Sequence, residues 1–338
     1  MDTLITESVL TESVLTESLK LHTPSYSIQV SNYFGRQNAR DYFHWLIILF
    51  LILGYSDLMA QSYANLNSLK GHTPEVYYST GAEVKARRMA KQLDQVISFY
   101  NKLIGFSPVV KLLVLSPDDW KTYTTGAVYG MPHYGGSQTL FVAAEDNEFW
   151  RSFIPPTDKM PAAFSKMVSE TYSNGKGGLT MEPFFDLLAI HELGHAFHIQ
   201  DSLVMQRKWM GELFANILLH TYIAEVEPGL LPALTLFPEM VVATTNRTML
   251  KYTSLEDLEL HYNEIAQKFP RNYGWYQCRW HMAAASIYNE AGVVALKNLW
   301  PALKSQRTIL DDTSFTTMLN TKVHTSVANV PLKWNNAD

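Results

Sequence analysis

Three features are scarce in this chain of 338 residues: cysteine, charge and long apolar runs. Its one cysteine, Cys278, cannot form a disulfide within the chain, and it excludes metal sites built from cysteine clusters. Charged residues make up 17% of the chain, and the net charge of −5 gives no overall basic footprint for nucleic acid. Hydrophobic residues make up 47%, an ordinary globular share, which excludes a wholly disordered or collagen-like chain.

An apolar run occupies residues 43–55 near the start of the chain. A helix of this length is shorter than the roughly 20 residues that a membrane span needs. With Arg36 and Arg40 before it and a candidate cleavage site after Ala60, the run is typical of a signal peptide; a buried core helix is the alternative. We predict that residues 1–60 form a disordered tail and a signal peptide or anchor. The protein would then be exported to the periplasm, the medium or the cell envelope, and would contact a membrane only if this run is retained.

The first part of the body alternates helical and strand-like patterns. Apolar residues recur at three- and four-residue steps over 81–103, which predicts a helix. Residues 109–115 and Thr139–Ala143 are rich in valine and leucine and predict two strands. Between them, the glycines and proline of residues 129–136 predict a turn-rich loop.

From residue 182 onward the pattern is mostly helical, with breaks expected near Pro270 and Pro301. We therefore predict an α+β chain with an N-terminal α/β lobe over residues 61–182. A mainly helical C-terminal lobe would follow over residues 183–338 and would carry the functional site.

The motif His-Glu-x-x-His occupies residues 191–195, within a segment of helical apolar spacing. A four-residue step places His191 and His195 on one face of a helix, where both imidazoles can bind one zinc ion. Zinc lowers the pKa of a bound water to about 7. Glu192 can reach that water and act as general base without being a zinc ligand. The alternative is two ordinary core histidines, but it gives no reason to bury these polar groups in an apolar helix.

A catalytic zinc needs a third protein ligand, and the best candidate is Glu212 on a second predicted helix over 208–220. The turn between the two helices is long enough to bring the second across the first. Asn216 follows Glu212 by one turn and can hydrogen-bond a ligand imidazole.

A rival third ligand is Asp201, six residues after His195, in a pattern that resembles the metzincin motif. That motif makes a sharp turn at a glycine, where this chain has His198. We therefore rank Asp201 second and expect His198 at the helix end rather than on a metal.

The motif at 191–195, followed by a later helix bearing Glu212 and Asn216, resembles the gluzincin branch of zinc metallopeptidases, the thermolysin-like group. The resemblance implies a zincin-like α+β fold, with a small mixed sheet lobe, a mostly helical lobe and the motif helix at the floor of a cleft. It also implies an edge strand that binds an extended substrate by strand addition, and Thr139–Ala143 has the matching chain position. The family has an acidic residue where this chain has Asn216.

The resemblance further implies a tyrosine or histidine from the downstream helical lobe that stabilises the oxyanion. Tyr276, near the start of a predicted helix that runs to about residue 289, matches that position best. Tyr273 and His281 are the alternatives.

Together these features predict a zinc metallopeptidase acting on a peptide or protein substrate. His191, His195 and Glu212 would hold Zn²⁺, with Glu192 as general base and Tyr276 as oxyanion donor. The alternatives are a zinc hydrolase of a non-peptide amide and a zinc-binding or scaffold protein without turnover. The oligomeric state, the substrate and the choice between endo- and exopeptidase do not follow from the sequence.

Overall fold

The computed structural model of the chain describes residues 63–154, 157 and 160–334. The predicted tail, the apolar run at 43–55 and the cleavage site after Ala60 lie outside these residues. Among the described residues, no helix combines the length and apolar character needed to cross a membrane.

Five strands of the described part form one mixed sheet with the spatial order β1-β2-β3-β5-β4. The parallel strands β2, β3 and β5 form its centre, and β1 and β4 pair antiparallel at its two edges. All five residues of β5 are buried, as expected for a central strand. The strands are β1 (Asn67–Leu69), β2 (Glu75–Tyr78), β3 (Lys111–Leu115), β4 (His133–Gly135) and β5 (Thr139–Ala143).

The position of the edge strand corrects the expectation from sequence. Thr139–Ala143 is a strand, but it lies between β3 and β4, so its main chain is not open to a partner. The edge on that side is β4, with Tyr134 opposite Leu140. The sequence pattern predicted a loop over 129–136 and missed β4, because a strand of three residues that ends in Gly135 is too short to show an alternating apolar pattern.

Helices account for most of the remaining described residues. They are α1 (Glu83–Ile104), α2 (Pro117–Tyr123), α3 (Glu148–Arg151), α4 (Ala162–Thr171), α5 (Glu182–Gln200), α6 (Lys208–Val226), α7 (Leu231–Thr244), α8 (Leu255–Lys268), α9 (Pro270–Ala291), α10 (Val294–Ser305), α11 (Asp312–Met318) and α12 (Thr325–Lys333). The predicted α+β class is confirmed, with a small mixed sheet and a predominance of helix.

Proline acts differently at the two predicted breaks. Pro270 begins α9, where its missing N–H costs nothing. The break expected at Pro301 is wrong, because α10 continues through it. Leu299 and Trp300 before it and Leu303 after it are buried, and this continuous apolar face offsets the one hydrogen bond that the proline removes.

The motif helix α5 lies between the sheet and the other helices. It packs against β4 and β5 on one side and against α6 on the other, and α6 in turn contacts α8 and α9. The crossing of α5 and α6 is close at Gly194, where a Cβ atom would lie 2.9 Å from the Cα of Ala215. Glu212 lies one turn before Ala215, so this approach brings its carboxylate to the motif histidines.

Candidate metal centre

Three side chains from α5 and α6 converge on one point. The Nε2 atom of His191 lies 3.1 Å from Nε2 of His195 and 3.4 Å from Oε2 of Glu212. Nε2 of His195 lies 3.8 Å from the same carboxylate oxygen. Ligands of a tetrahedral zinc, each about 2.0 Å from the metal, are separated from one another by about 3.3 Å. The two nitrogens and one oxygen are therefore atoms of the types, and at the spacing, that could hold a metal ion.

A second carboxylate borders the cluster in a different environment. Glu192 has an oxygen within 4.8 Å of the ligand atoms of both motif histidines. Its Oε2 accepts a hydrogen bond from the backbone N–H of Tyr134 in β4, at 2.9 Å. This bond ties Glu192 to the edge strand, whereas Glu212 contacts the histidines directly, so the two carboxylates differ in their contacts.

Two residues from neighbouring helices hold the Glu212 carboxylate. The hydroxyl of Tyr262 in α8 donates to Oε1 at 2.8 Å, and Nε2 of Gln277 in α9 donates to Oε2 at 3.0 Å. Tyr273 in α9 interacts in turn with Tyr262 and Gln277. Since both carboxylate oxygens have donors, Glu212 is held in one orientation with Oε2 toward the histidines.

The electrostatics of the cluster favour an ionised Glu212. The side chain is 8% exposed, and burial alone would raise its pKa, but the contact with His191 and the nearby histidines and Gln277 hold the pKa well below its usual range. Burial lowers the pKa of His195 to about 4, against the opposing charge of Glu212. For His191 burial acts in the same direction, but the bond to Glu212 and the charges of Glu192 and Glu212 outweigh it and raise the pKa. A buried anion beside a neutral imidazole is a donor set suited to a cation.

Asn216 lies on α6 one turn after Glu212 and beside His191. Its Nδ2 donates to the backbone carbonyl of Glu212 at 3.0 Å, and its side chain contributes to the raised pKa of His191. Oδ1 of Asn216 and Nδ1 of His191 are both buried without a partner at hydrogen-bonding distance. The amide therefore stands beside His191, but no hydrogen bond between them forms in this structure.

Tyr276 does not reach the cluster, which corrects the choice made from sequence. It is fully buried, its hydroxyl donates to the carbonyl of Ser254 at 2.7 Å, and its ring stacks on Trp334. Tyr273, three residues earlier on α9, is half-buried instead, and the charges of Glu212 and Glu192 both raise its pKa in addition to burial. A three-residue step turns a side chain by about 60° around a helix, and the aromatic pattern alone does not show which of the two faces inward.

His281 of α9 lies beside His191. Its ring centroid is 6.4 Å from that of His191 and 5.6 Å from that of Phe184. Burial lowers its pKa to about 3, so the ring is neutral. It therefore packs against the ring of His191 and against Phe184.

The rival ligand Asp201 faces away from the motif. It follows the last residue of α5 and forms an ion pair with Lys304 of α10 at 2.7 Å. The helix continues past residue 198 without the sharp turn that the metzincin pattern needs. Of the two candidates, only Glu212 is brought to His191 and His195.

His198 is a functional candidate that the sequence reasoning assigned to the helix end. The structure buries it at 6% exposure, with Nε2 at 3.0 Å from Nδ1 of His195. Burial lowers its pKa to about 3. The signal in the sequence was its three-residue spacing from His195, which places both residues on the same side of a helix.

The edge strand is fastened to α5 through Tyr134. Its backbone N–H donates to Glu192, and its hydroxyl accepts a hydrogen bond from Nε2 of Gln200 at 3.1 Å. Because the N–H and C=O of one strand residue point to the same side, the main chain of Tyr134 faces α5 rather than β5. The cluster therefore lies directly beside the edge of the sheet.

A scan with protein-family models gave no match for this chain, and comparison with curated proteins gave no significant match.

Proposed function

We propose that this chain is a zinc-dependent metallopeptidase with a zincin-like arrangement of the gluzincin type. The observation that carries the proposal is the convergence of Nε2 of His191, Nε2 of His195 and Oε2 of Glu212 at 3.1 to 3.8 Å. A structural zinc site normally closes with a fourth protein ligand. The hydrogen bond from the Tyr134 N–H to Glu192 supports a role for this carboxylate as base rather than as a fourth ligand.

Each residue of the site has a distinct role in the proposed reaction. When bound, zinc supplies a Lewis acid that polarises a carbonyl group and acidifies water. The carboxylate of Glu192 takes a proton from the attacking water and passes it to the leaving amine. The N–H of Tyr134 holds that carboxylate in place, and the hydroxyl of Tyr273 is our candidate donor to the oxyanion.

The position of β4 supports an extended peptide as the substrate. The strand is at the sheet edge, and the main-chain groups of Tyr134 face the side on which Glu192 lies. Because the N–H of Tyr134 is bound to Glu192, a peptide lying along this edge would pass the cluster and pair with the Tyr134 carbonyl alone. A site beside a strand edge suits an extended chain more than a single small amide, which favours a peptide as the substrate class.

The decisive experiment measures zinc content and peptide turnover on the same preparations. We expect about one zinc per chain in the wild type and in Glu192→Gln, with turnover lost in the variant because the base is removed. Glu212→Gln should lose zinc and turnover together. Asp201→Asn is the matched control, since it alters a carboxylate near the end of α5 that is paired to Lys304, and it should keep both.

The other outcomes separate the alternatives. Full turnover in Glu192→Gln would refute the mechanism. Zinc without turnover of any member of a mixed peptide library would favour a binding or scaffold protein, and turnover of non-peptide amides alone would favour the other hydrolase. Loss of zinc in Asp201→Asn but not in Glu212→Gln would restore the metzincin-like ligand set.

We also propose that the protein is exported, on the basis of residues 1–60. The test is N-terminal sequencing of the protein recovered from fractionated cells. A mature chain that begins at residue 61 in an extracytoplasmic fraction is expected, and an intact N-terminus in the cytoplasm would contradict the proposal.

A further inference from the structure

We propose that His198 is a positioning residue that sets the tautomer and the ring orientation of His195. The inference deepens the proposed function and rests on it, since it takes His195 as a zinc ligand. The observation that carries it is the 3.0 Å contact between Nδ1 of His195 and Nε2 of His198.

The two nitrogens of His195 face different partners. Its Nε2 faces the cluster and lies 3.1 Å from Nε2 of His191 and 3.8 Å from Oε2 of Glu212. Its Nδ1 points along α5 to the ring of His198, and the two rings are perpendicular, with centroids 5.3 Å apart. His198 thus holds the side of the ring that lies away from the cluster.

This geometry determines where the protons lie. A ligand imidazole presents the lone pair of Nε2 to the metal, so the proton of neutral His195 must lie on Nδ1. That N–H can donate only to an unprotonated Nε2 of His198, and His198 must then carry its own proton on Nδ1. Carboxylates, backbone carbonyls and water commonly support a ligand histidine in this way; here an imidazole takes that place.

The surroundings of His198 keep its ring in this position. It is 6% exposed, and its ring packs edge-to-face on Phe214 of α6, with centroids 5.8 Å apart. The backbone carbonyl of His198 accepts from the N–H of Leu203 at 2.9 Å, which closes the helix end around it.

The test compares an acceptor-preserving and an acceptor-free substitution. His198→Gln keeps a carbonyl oxygen that can take the place of Nε2, whereas His198→Leu has a similar volume and no acceptor. The matched control is His220→Leu, which removes another buried histidine, 5% exposed, whose ring packs beside Tyr288. The measurement is the zinc dissociation constant, by competition with a chromophoric chelator, together with the melting temperature of the metal-free protein.

We expect His198→Leu to weaken zinc binding by about 10- to 100-fold, the usual effect of losing a partner that orients a ligand. His198→Gln should recover most of the affinity, and His220→Leu should bind zinc as the wild type does. A folded His198→Leu with wild-type affinity would overturn the inference, and so would equal losses in the Leu and Gln variants.

A measurement on the unaltered protein covers the case in which a variant fails to fold. Long-range ¹H–¹⁵N NMR of the zinc-loaded wild type should show protons on Nδ1 of both His195 and His198. A proton on Nε2 of His198 would overturn the inference while leaving the proposed function intact. Absence of zinc binding by the wild type, or unchanged binding by His191→Ala, would instead overturn the proposed function and the ligand role of His195 with it.

Discussion

Gly194→Ala tests whether the close crossing of α5 and α6 builds the proposed metal centre. The added Cβ would lie 2.9 Å from the Cα of Ala215 and 3.1 Å from its Cβ. Carbon atoms in contact lie about 3.5–4.0 Å apart, so the helices must separate by about 0.6–1.1 Å. Backbone atoms cannot rotate away as a long side chain can, so the separation moves α6 and Glu212 with it.

The expected effect on zinc is larger than the effect on stability. Zinc ligand distances tolerate deviations of about 0.2 Å, so a shift of Glu212 several times larger should weaken zinc binding by about 10- to 100-fold. Overpacking costs about 1–3 kcal/mol, and the better helix propensity of alanine offsets about 1 kcal/mol of this. The net cost of about 0–2 kcal/mol would lower the melting temperature by up to about 8 °C.

The assay is chelator competition for zinc, with thermal unfolding of the metal-free protein beside it. Gly274→Ala is the matched control, because this glycine lies in α9 and its Cβ would meet nothing within 4 Å. The control should keep wild-type zinc affinity and melt no lower than the wild type. Wild-type affinity in Gly194→Ala would refute the reasoning that this contact sets the reach of Glu212.

Two further predictions follow from the placement of individual side chains. Tyr273→Phe should lower kcat by about 100- to 1,000-fold with zinc retained, if the Tyr273 hydroxyl donates to the oxyanion. Tyr276→Phe should leave kcat unchanged and cost about 1 kcal/mol of stability, because its hydroxyl loses the bond to Ser254. Steady-state kinetics and denaturant unfolding measure both effects, and the reverse pattern would return the oxyanion role to Tyr276. For His220, burial lowers the pKa to about 4, below the usual 6.5, so its contribution to stability is complete above pH 6.5 and is lost as the pH falls toward 4. The free energy of unfolding should fall by up to about 1.4 kcal/mol per pH unit in that range, and His220→Leu should reduce this slope in urea titrations, whereas an unchanged slope would show that His220 does not titrate on unfolding.

Local patterns in the sequence predicted the elements that carry the site. The helix of the His-Glu-x-x-His motif, the helix of Glu212 and the strand Thr139–Ala143 are all present. The two helices are buried on nearly every side, so their long apolar segments rather than a single stripe identify them, and the strand is identified by its run of buried residues. The α+β class follows from the order of these elements along the chain.

Contacts between elements could not be predicted from local sequence patterns. The short edge strand β4 exists because β5 pairs with it, and its three residues carry no pattern by themselves. Likewise, the continuation of α10 through Pro301 depends on the buried face that its neighbours cover. In both cases tertiary packing outweighs the local signal.

The sequence by itself determined that His191 and His195 share one face of a helix, since 3.6 residues per turn brings a four-residue step back to the same side. It also placed Glu192 beside them and Glu212 on a following helix. Only the tertiary structure decided that Glu212 rather than Asp201 meets the histidines. The physical reason is that spacing within a helix follows from backbone geometry, whereas the distance between two helices depends on which side chains meet where they cross, as Gly194 and Ala215 do here.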